Sequence, residues 1–361
     1  MKARVFRPDL PKGRRILAIS DIHGNLSYFR ALLDKVTFCE KDILILLGDF
    51  LEKGPQSLDT LRFIMELTEK YTVWPVCGNC DGWHSIYRRD PEEMSSPVRE
   101  YLNEKPQALL SQMCAKIGFP VTPDMDIIKM RDALREPFRA EFEFLENLPH
   151  IIDTPHYTFV HGGLPEGRLD ELDAFKCMKN DCFMHQGRHF DKWCIVGHWP
   201  VMLYGENITC ANPIIDRESR IISIDGGCVL KDDGQLNALI IPDSGSEDFD
   251  FISYDHFPKH RVCAPQQASP HSYYIRWGDN TVRVLNRGDE FSLCEHMRTG
   301  YRMEILNKYL YSDEACTHCN DCTDYVLPLE VGDTVSVVEK TGHGYLVKHK
   351  GVSGWYFGRL E

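Results

Sequence analysis

Five apolar segments of the sequence are each followed, within three residues, by side chains of the types that bind divalent metals. The side chains at these positions are Asp21, His23, Asp49, Asn79, His161 and His198. Carboxylate, amide and imidazole groups form a mixed oxygen and nitrogen set, which suits Mn, Fe or Zn better than a structural zinc site rich in cysteine. Because ligands bind at the carboxyl ends of the strands in open α/β sheets, these side chains are expected to converge there.

The spacing of these side chains divides them between two ions. Asp21 and His23 are two residues apart on an extended segment, so they can hold one ion together. The carboxylate of Asp49 can share its oxygens between both ions. The second ion is assigned the remaining ligands, Asn79, His161 and His198. Two ions about 3.5–4 Å apart clamp a phosphoryl group and produce hydroxide at neutral pH, which predicts in-line hydrolysis of a phosphoester.

The elements that must position these ligands are visible as alternating apolar patterns from residue 14 to about residue 243. Continuous apolar runs at 15–20 and 42–47 predict strands covered on both faces. Apolar residues recur at helical spacing over 26–36, and a second helix is predicted from Ser57. Further apolar runs, expected to complete the sheets, lie at 72–76, 157–160, 193–196, 221–224 and 238–241.

The composition changes within and after this region. Residues 83–146 are charged and helical in pattern, and we interpret them as a helical insertion. The insertion either lies over the site or forms a packed subdomain without substrate contact. Residues 244–250, and the polar stretch to about residue 271, are interpreted as a linker.

Short alternating strands punctuated by glycines follow at 281–285, 334–338 and 344–348. A small β-barrel is the simplest account of them. The sequence therefore predicts an α/β domain over residues 1–250 and a β-rich domain over residues 251–361.

Length and composition limit the possible functions. The chain has 361 residues, which favours two domains. Its 41 basic and 54 acidic residues give a formal charge of -13, which argues against general nucleic-acid binding. The sequence contains neither an apolar leader nor a run of about 18 apolar residues, so we expect a cytoplasmic protein without membrane contact. The fourteen cysteines are expected to be reduced.

The ordered motifs resemble the calcineurin-like metallophosphoesterase superfamily, whose pattern is D-x-H, G-D, G-N-H-[DE], a later histidine and G-H. The phosphoprotein-phosphatase branch and its bacterial relatives, including diadenosine-tetraphosphate hydrolases, are the most similar. The resemblance is carried by residues 48–61, 144–149, 159–165, 197–200 and 224–227. It implies a four-layer α/β/β/α sandwich, a pair of divalent ions (Mn preferred, Fe or Zn as alternatives) and the same six ligands. It also implies hydrolysis of phosphomonoesters, with phosphorylated Ser/Thr proteins favoured over small phosphoesters.

Two departures from the family pattern concern catalytic residues. Glu52-Lys53 replaces the usual Asp-Arg, so Lys53 is expected to contact phosphate as a point charge rather than as a bidentate fork. Cys80 replaces the histidine that is thought to protonate the leaving oxygen. Either Cys80 is a buried filler or it substitutes functionally, with His84 or Asp81 as possible stand-ins for the acid. Asp81 is otherwise expected to orient neighbouring groups.

Two other functions remain open at this point. One is cleavage of a nucleotide pyrophosphate or a phosphodiester. The other is a metal-stabilised binding protein without catalysis, which the substitutions at Glu52, Lys53 and Cys80 motivate. Residues 329–360 resemble a bacterial SH3-like barrel, which implies a peptide partner or packing against the chain's own enzyme domain.

The C-terminal region also contains a C-x2-C-x2-C run with one interspersed histidine. Its members are Cys316, His318, Cys319 and Cys322. Cys294 or His296 could complete a zinc site, but the usual paired C-x2-C partner is missing. A loop of reduced cysteines is the favoured interpretation.

Overall fold

The computed structural model describes residues 1–88 and 91–361, so residues 89 and 90 of the predicted insertion lie outside the described residues. The fold is mixed α/β with several sheets. Contacts divide it into two compact units, and the division predicted at residue 250 stays a prediction. The first unit comprises Met1–Trp199, Pro213–Leu230 and Gln235–Asp255, and the second Pro200–Asn212, Lys231–Gly234 and His256–Glu361.

Helices and strands are numbered here in chain order. The helices are α1 (Leu26–Lys35), α2 (Ser57–Lys70), α3 (Pro91–Glu104), α4 (Leu109–Ile117), α5 (Ile127–Arg135), α6 (Arg139–Asn147) and α7 (Ala174–Met178). Short 3₁₀ segments are Gly82–Tyr87, Leu169–Glu171, Phe183–Gln186, Val201–Tyr204 and Asn307–Tyr309. The strands are β1 (Val5–Phe6), β2 (Ile16–Ile19), β3 (Ile43–Leu46), β4 (Val73–Pro75), β5 (Ile151–Asp153), β6 (Tyr157–Val160), β7 (Trp193–Val196), β8 (Thr209–Cys210), β9 (Ile214–Asp216), β10 (Ile221–Ser223), β11 (Leu236–Ile241), β12 (Asp250–Tyr254), β13 (Lys259–Arg261), β14 (Tyr274–Ile275), β15 (Thr281–Arg287), β16 (Phe291–His296), β17 (Arg302–Leu306), β18 (Leu310–Ser312), β19 (Thr317–Cys319), β20 (Cys322–Thr323), β21 (Thr334–Lys340), β22 (Tyr345–His349) and β23 (Val352–Tyr356).

The first unit contains two sheets that share an apolar cluster. One sheet has the order β12-β11-β2-β3-β4, and the other has the order β1-β5-β6-β7-β10-β9. Ile16 and Ile43 of the first sheet belong to the same buried cluster as Phe159 and Ile195 of the second. Every residue of the parallel strands β2 and β3 is buried. Both faces of these strands are therefore covered, which explains why their sequences are continuous apolar runs.

Helices pack on the other side of the first sheet. Phe29 and Leu32 of α1 lie on its buried face and share a cluster with Leu17 of β2. Their spacing of three residues is the helical period that produces an apolar stripe. The described residues between Gly82 and Asn147 are largely helical, and α3 to α6 contribute to this same cluster through residues such as Leu110 and Leu145. The insertion is therefore continuous with the core of the first unit.

The second unit contains two five-stranded sheets and a two-stranded one. The five-stranded sheets have the orders β13-β21-β22-β23-β8 and β17-β16-β15-β19-β18, and β14 pairs with β20. Separate apolar clusters lie on the two larger sheets. No sheet closes on itself within the described ranges, so the predicted single small barrel and its SH3-like assignment are not confirmed.

Two further findings concern the whole described chain. None of the helices in residues 1–88 and 91–361 is long and apolar enough to cross a membrane. All fourteen cysteines have free thiols, and seven of them are buried.

Candidate metal centre

The predicted ligands lie at the carboxyl ends of strands in both sheets of the first unit. Strands β2, β3 and β4 run parallel in one sheet, and β6 and β7 run parallel in the other. The loops that follow these strands therefore leave at the same edge of each sheet. These loops carry the predicted ligands Asp21, His23, Asp49, Asn79, His161 and His198.

The loops reach this arrangement through unusual backbone conformations. Asp21, His23, Asp49 and His198 all have positive φ, between 49° and 66°, although none is a glycine. Such conformations are costly for residues with a side chain and concentrate at functional sites. A Cβ atom added at Gly78 would collide with the backbone nitrogen and Oδ1 of Asp49, so glycine is required where these two loops meet.

Asp49 lies between two groups of predicted ligands. Its Oδ1 is 3.2 Å from Nε2 of His161, and its Oδ2 is 4.0 Å from Nε2 of His23. On one side, Nε2 of His23 is 3.7 Å from Oδ1 of Asp21. On the other side, Nε2 of His161 is 3.3 Å from Oδ1 of Asn79.

His198 joins the group that contains His161, and Cys80, which was not predicted as a ligand, lies beside the group that contains His23. The ligand atoms of Asp49, His161 and His198 all lie within 4.8 Å of one another, and so do those of His23, Asp49 and Cys80. The backbone nitrogen of His198 donates to Oδ2 of Asp21 at 2.9 Å, which fixes one loop to the other. The structure therefore brings all six predicted ligands together, with Asp49 common to both groups.

The charge and burial of these residues fit bound cations. Asp21, Asp49 and His161 are each at most 3% exposed. Oδ1 of Asp21 is buried without a hydrogen-bond partner, an arrangement that costs free energy unless a cation faces the oxygen. Burial, followed by repulsion from Asp225, raises the pKa of Asp21 well above its ordinary value. The residues therefore fit a pair of divalent ions, which would compensate this buried negative charge.

Backbone carbonyls orient the two buried histidines. Nδ1 of His161 is 2.7 Å from the oxygen of Leu47, and Nδ1 of His23 is 3.2 Å from the oxygen of Leu51. Hydrogen bonding at Nδ1 leaves Nε2 available as the ligand atom, which is the usual arrangement around bound metals.

Asp81 supports the Asp49 loop. Its Oδ2 accepts hydrogen bonds from the backbone nitrogens of Asp49 (2.8 Å) and Gly78 (2.9 Å), and its Oδ1 accepts one from that of Leu51 (3.2 Å). Burial and the charge of Asp49 raise the pKa of Asp81 to about 8. These contacts join the loop that follows β3 to the loop that follows β4, and the orienting role of Asp81 stays a prediction.

A cavity of about 320 Å³ opens beside the predicted ligand Asn79. Its lining residues are Glu52, Lys53, Asn79, Cys80, Gly82, Trp83, Ser85 and Tyr101. Trp83 and Tyr101 come from the helical insertion, so the insertion contributes to the cavity. His84 does not line the cavity, and burial and the charges of Arg88 and Arg4 lower its pKa to about 4, which leaves it neutral at pH 7.

Glu52 anchors the insertion to the loop that carries Lys53. Its carboxylate accepts hydrogen bonds from Trp83 Nε1 (2.7 Å), the Tyr101 hydroxyl (2.6 Å) and the Leu109 nitrogen (2.8 Å). Glu52 and Lys53 both have positive φ, of 68° and 65°. This local conformation leaves Glu52 buried and Lys53 exposed at the cavity.

Cys80 was considered either a buried filler or a functional substitute for histidine, and the structure places it at the cavity wall beside Asp49. Its backbone nitrogen donates to Oδ1 of Asp49 at 2.8 Å, and its side chain lines the cavity. Burial, together with the charge of Asp49, raises the pKa of its thiol well above the ordinary value.

Sequence reasoning missed two contacts of the site. One is the anchoring of the insertion by Glu52, which was noted only as a departure from the family pattern. The other is Asp181, whose Oδ1 lies 2.7 Å from Nε2 of His198. Asp181 follows a short helix without any repeating pattern, so the sequence contains no local signal for it.

A phosphoric ester hydrolase is the class of protein that this fold and site define, and the comparisons with known proteins agree. The sequence model for the calcineurin-like phosphoesterases matches residues 14–217, which is more than half of the chain. The chain belongs to the calcineurin-like phosphoesterase family, which uses a pair of divalent metal ions.

Two curated relatives with the same name are similar to the chain. The symmetrical bis(5'-nucleosyl)-tetraphosphatase of Vibrio cholerae is 29% identical over 256 residues, which cover 58% of this chain and 90% of that protein. A protein of the same name from Nitrosospira multiformis is 46% identical over 199 residues, or 53% of this chain and 60% of that protein. The metallophosphoesterase structure from Sphaerobacter thermophilus is 18% identical with a TM-score of 0.39, covering 67% of this chain and 89% of that one.

Proposed function

We propose that the chain hydrolyses a phosphoanhydride bond in a dinucleoside polyphosphate, using two divalent ions held by the six predicted ligands. The observation that carries this proposal is the cavity beside Asn79, which combines the cation of Lys53 with the aromatic rings of Trp83 and Tyr101. A cation beside two aromatic rings suits a nucleotide, whose phosphates are anionic and whose base has a flat π-face. The name shared by the relatives supports the same substrate class.

The residues of the chain have separate roles in this proposal. Asp21, His23 and Asp49 would hold one ion, and Asp49 would share the other with Asn79, His161 and His198. When bound, the ions would neutralise phosphoryl oxygens and lower the pKa of a water. Mn remains the predicted ion, with Fe and Zn as alternatives.

Lys53 is proposed to contact a phosphate of the substrate. Its ammonium group is a flexible point charge, so it attracts the anion without fixing one geometry as an arginine would. Trp83 and Tyr101 have ring centroids 5.6 Å apart, and one of their exposed faces would stack against the base.

Cys80 favours an anhydride over a serine or threonine phosphate. Its thiol stands at the position where the family pattern has histidine, and a thiol is ordinarily a weaker acid than an imidazolium. Departure of a serine alkoxide requires a proton from a strong general acid, whereas departure of a nucleotide phosphate does not because the leaving oxygen is already a weak base. The site is therefore better suited to a leaving group that needs little protonation.

A substrate panel with purified protein and added Mn²⁺ tests this proposal. The panel comprises diadenosine tetraphosphate, p-nitrophenyl phosphate, its bis-ester and a phosphoserine peptide. Base stacking is worth about 1–3 kcal/mol, so kcat/KM for the dinucleotide should exceed that for p-nitrophenyl phosphate by at least about fivefold. Equal values for the two, or a preference for the peptide, would contradict the proposed substrate.

A matched pair of variants tests the stacking role directly. Tyr101→Phe keeps the ring and should retain the preference for the dinucleotide, whereas Tyr101→Leu should raise KM for that substrate alone. The panel also tests the function that the sequence favoured, hydrolysis of phosphomonoesters, and the remaining alternatives, cleavage of a phosphodiester and a binding protein without turnover. The cytoplasmic location and a peptide or intramolecular contact through residues 251–361 stay predictions.

A further inference from the structure

The C-x2-C-x2-C run of the second unit is divided between exposed and buried positions. Strand β19 begins just after the exposed Cys316, and because side chains alternate along a strand, His318 and Cys319 lie on opposite faces of β19. Cys319 is fully buried, with its Sγ 3.9 Å from that of Cys322. His296 instead contacts Thr299 and Asp279. The zinc site considered from the sequence is therefore not assembled as one cluster.

A different set of ligands meets where the turn between the paired strands β18 and β19 leads into β19. We propose that Asp313, Cys316 and His318 bind one zinc ion. Their ligand atoms lie within 4.8 Å of one another, and Nε2 of His318 is 3.1 Å from Oδ2 of Asp313. Such separations suit a tetrahedral ion with bonds of about 2.0–2.3 Å.

The remaining polar atoms of these ligands are already engaged. Oδ1 of Asp313 accepts hydrogen bonds from the backbone nitrogens of Ala315 and Cys316, both at 2.8 Å, so Oδ2 is left to face the ion. Nδ1 of His318 lies 3.4 Å from Oγ1 of Thr281 on the neighbouring strand β15, which leaves Nε2 available. Outer contacts of this kind orient ligands around bound metals.

The chemistry of the donors selects the class of ion. A thiol, an imidazole and a carboxylate form a borderline set that favours zinc over magnesium or calcium, which prefer oxygen ligands alone. On binding, the thiol of Cys316 would release its proton to solvent and form a bond from sulfur to the ion.

The same three side chains could instead be a surface ion pair with a bystander thiol. The Asp313 side chain is 58% exposed, and surface pairs of this kind contribute little to stability. The two interpretations differ in one property. A bound ion shields the sulfur of Cys316 from electrophiles, whereas an ion pair between Asp313 and His318 leaves it reactive.

Alkylation of Cys316 by iodoacetamide, followed by peptide-resolved mass spectrometry, tests the proposal on the full chain. We expect added Zn²⁺ to slow the modification at least about tenfold, because a metal-bound sulfur is a poor nucleophile. A chelator should restore the rate. The exposed Cys39 of the first unit is the internal control and should react equally under both conditions. Equal rates at Cys316 with and without Zn²⁺ would overturn the proposal.

Variants identify the other two ligands. His318→Ala and Asp313→Asn should abolish the protection of Cys316, whereas Glu314→Gln, which removes a neighbouring charge in the same loop, should preserve it. If protection survived in both ligand variants, the proposed set would be wrong. None of these residues belongs to the phosphoesterase site, so hydrolysis should be unchanged, and either proposal can fail without the other.

Discussion

Replacing Glu52 tests how the helical insertion is held against the catalytic loop. The Glu52→Ala variant removes the acceptor for Trp83 Nε1, the Tyr101 hydroxyl and the Leu109 nitrogen. Trp83 and Tyr101 border the cavity, so water can replace their lost partner, but the Leu109 nitrogen belongs to a fully buried residue. A buried donor left without a partner costs about 1–3 kcal/mol, and a hydrogen bond to a charged group contributes about 1.5–3 kcal/mol. The two figures describe the same lost contacts, so we expect a loss of about 1.5–3 kcal/mol.

The Glu52→Gln variant is the matched control for this experiment. Its amide oxygen can still accept from Trp83 and Leu109, and its amide nitrogen can donate to the Tyr101 hydroxyl, which accepts as well as donates. We expect a loss of only about 1 kcal/mol, within the net value of an ordinary hydrogen bond.

Urea unfolding followed by tryptophan fluorescence measures both variants, and KM for the dinucleotide reports the shape of the cavity. Glu52→Ala should lower the unfolding midpoint and raise KM. Glu52→Gln should change both quantities less. If Glu52→Ala stayed within 0.5 kcal/mol of the wild type, roughly the spread of ordinary surface substitutions, the anchoring role would be refuted. If the unfolding midpoint and KM changed equally in both variants, the charge of Glu52 rather than its hydrogen bonds would hold the insertion in place.

Four other outcomes are expected. Asp49→Asn should abolish turnover while the far-UV circular dichroism spectrum stays unchanged, and metal-dependent activity in this variant would contradict the shared-ligand role. Asp81→Asn should cost about 1–3 kcal/mol in urea unfolding, because an amide has one acceptor oxygen for three backbone donors; an unchanged midpoint would argue against its orienting role. Gly78→Ala should lose bound metal, measured by elemental analysis, because the new methyl group meets Asp49; full occupancy would contradict the clash. Burial opposes ionisation of Asp42, but hydrogen bonds from Arg15 and Cys39 give it a net lowered pKa, so its stabilisation is present above about pH 4 and disappears as pH falls. The stability difference between wild type and Asp42→Asn should therefore vanish in acid, and a constant difference would contradict the assignment.

The ligand positions were accessible from the sequence because each depends on a local rule. A buried parallel strand such as β3 is a continuous apolar run, and the polar residue that follows it must lie at the carboxyl edge of the sheet. Asp49 could therefore be placed beside Asp21 without knowledge of the packing. The family pattern supplied the order of the motifs, and the match over residues 14–217 is independent support for the family.

The contacts around the ligands were not accessible in this way because they are tertiary. Asp181 contacts His198, and Glu52 accepts hydrogen bonds from three donors of the insertion. These partners are far apart in the sequence, and the helical and strand periodicities relate only residues a few positions apart. The polar run interpreted as a linker shows the same difficulty. Asp250–Tyr254 forms strand β12, which pairs antiparallel with β11 at the edge of a sheet, where a polar sequence is tolerated because one side faces solvent.

The C-terminal strands were predicted as elements, but their partners were not. Strand β13 pairs with β21, and β23 pairs with β8, which lies more than a hundred residues earlier in the chain. Short alternating strands specify which face is buried but not which neighbour they choose. The expected single barrel was therefore a prediction about pairing, and the second unit instead contains two open five-stranded sheets and a two-stranded one.

The early position of β8 limits how the polypeptide can be shortened. Cys210 pairs with Val352, and Met202 and Ala211 share an apolar cluster with Tyr274. A stop codon between Asn212 and His256 would keep this middle segment but remove the strand that pairs with β8 and the side chain that packs on Met202 and Ala211. Because both units consist of several chain segments, no single truncation separates them. A gene fragment that ends before His256 would therefore encode an aggregation-prone polypeptide rather than a minimal enzyme.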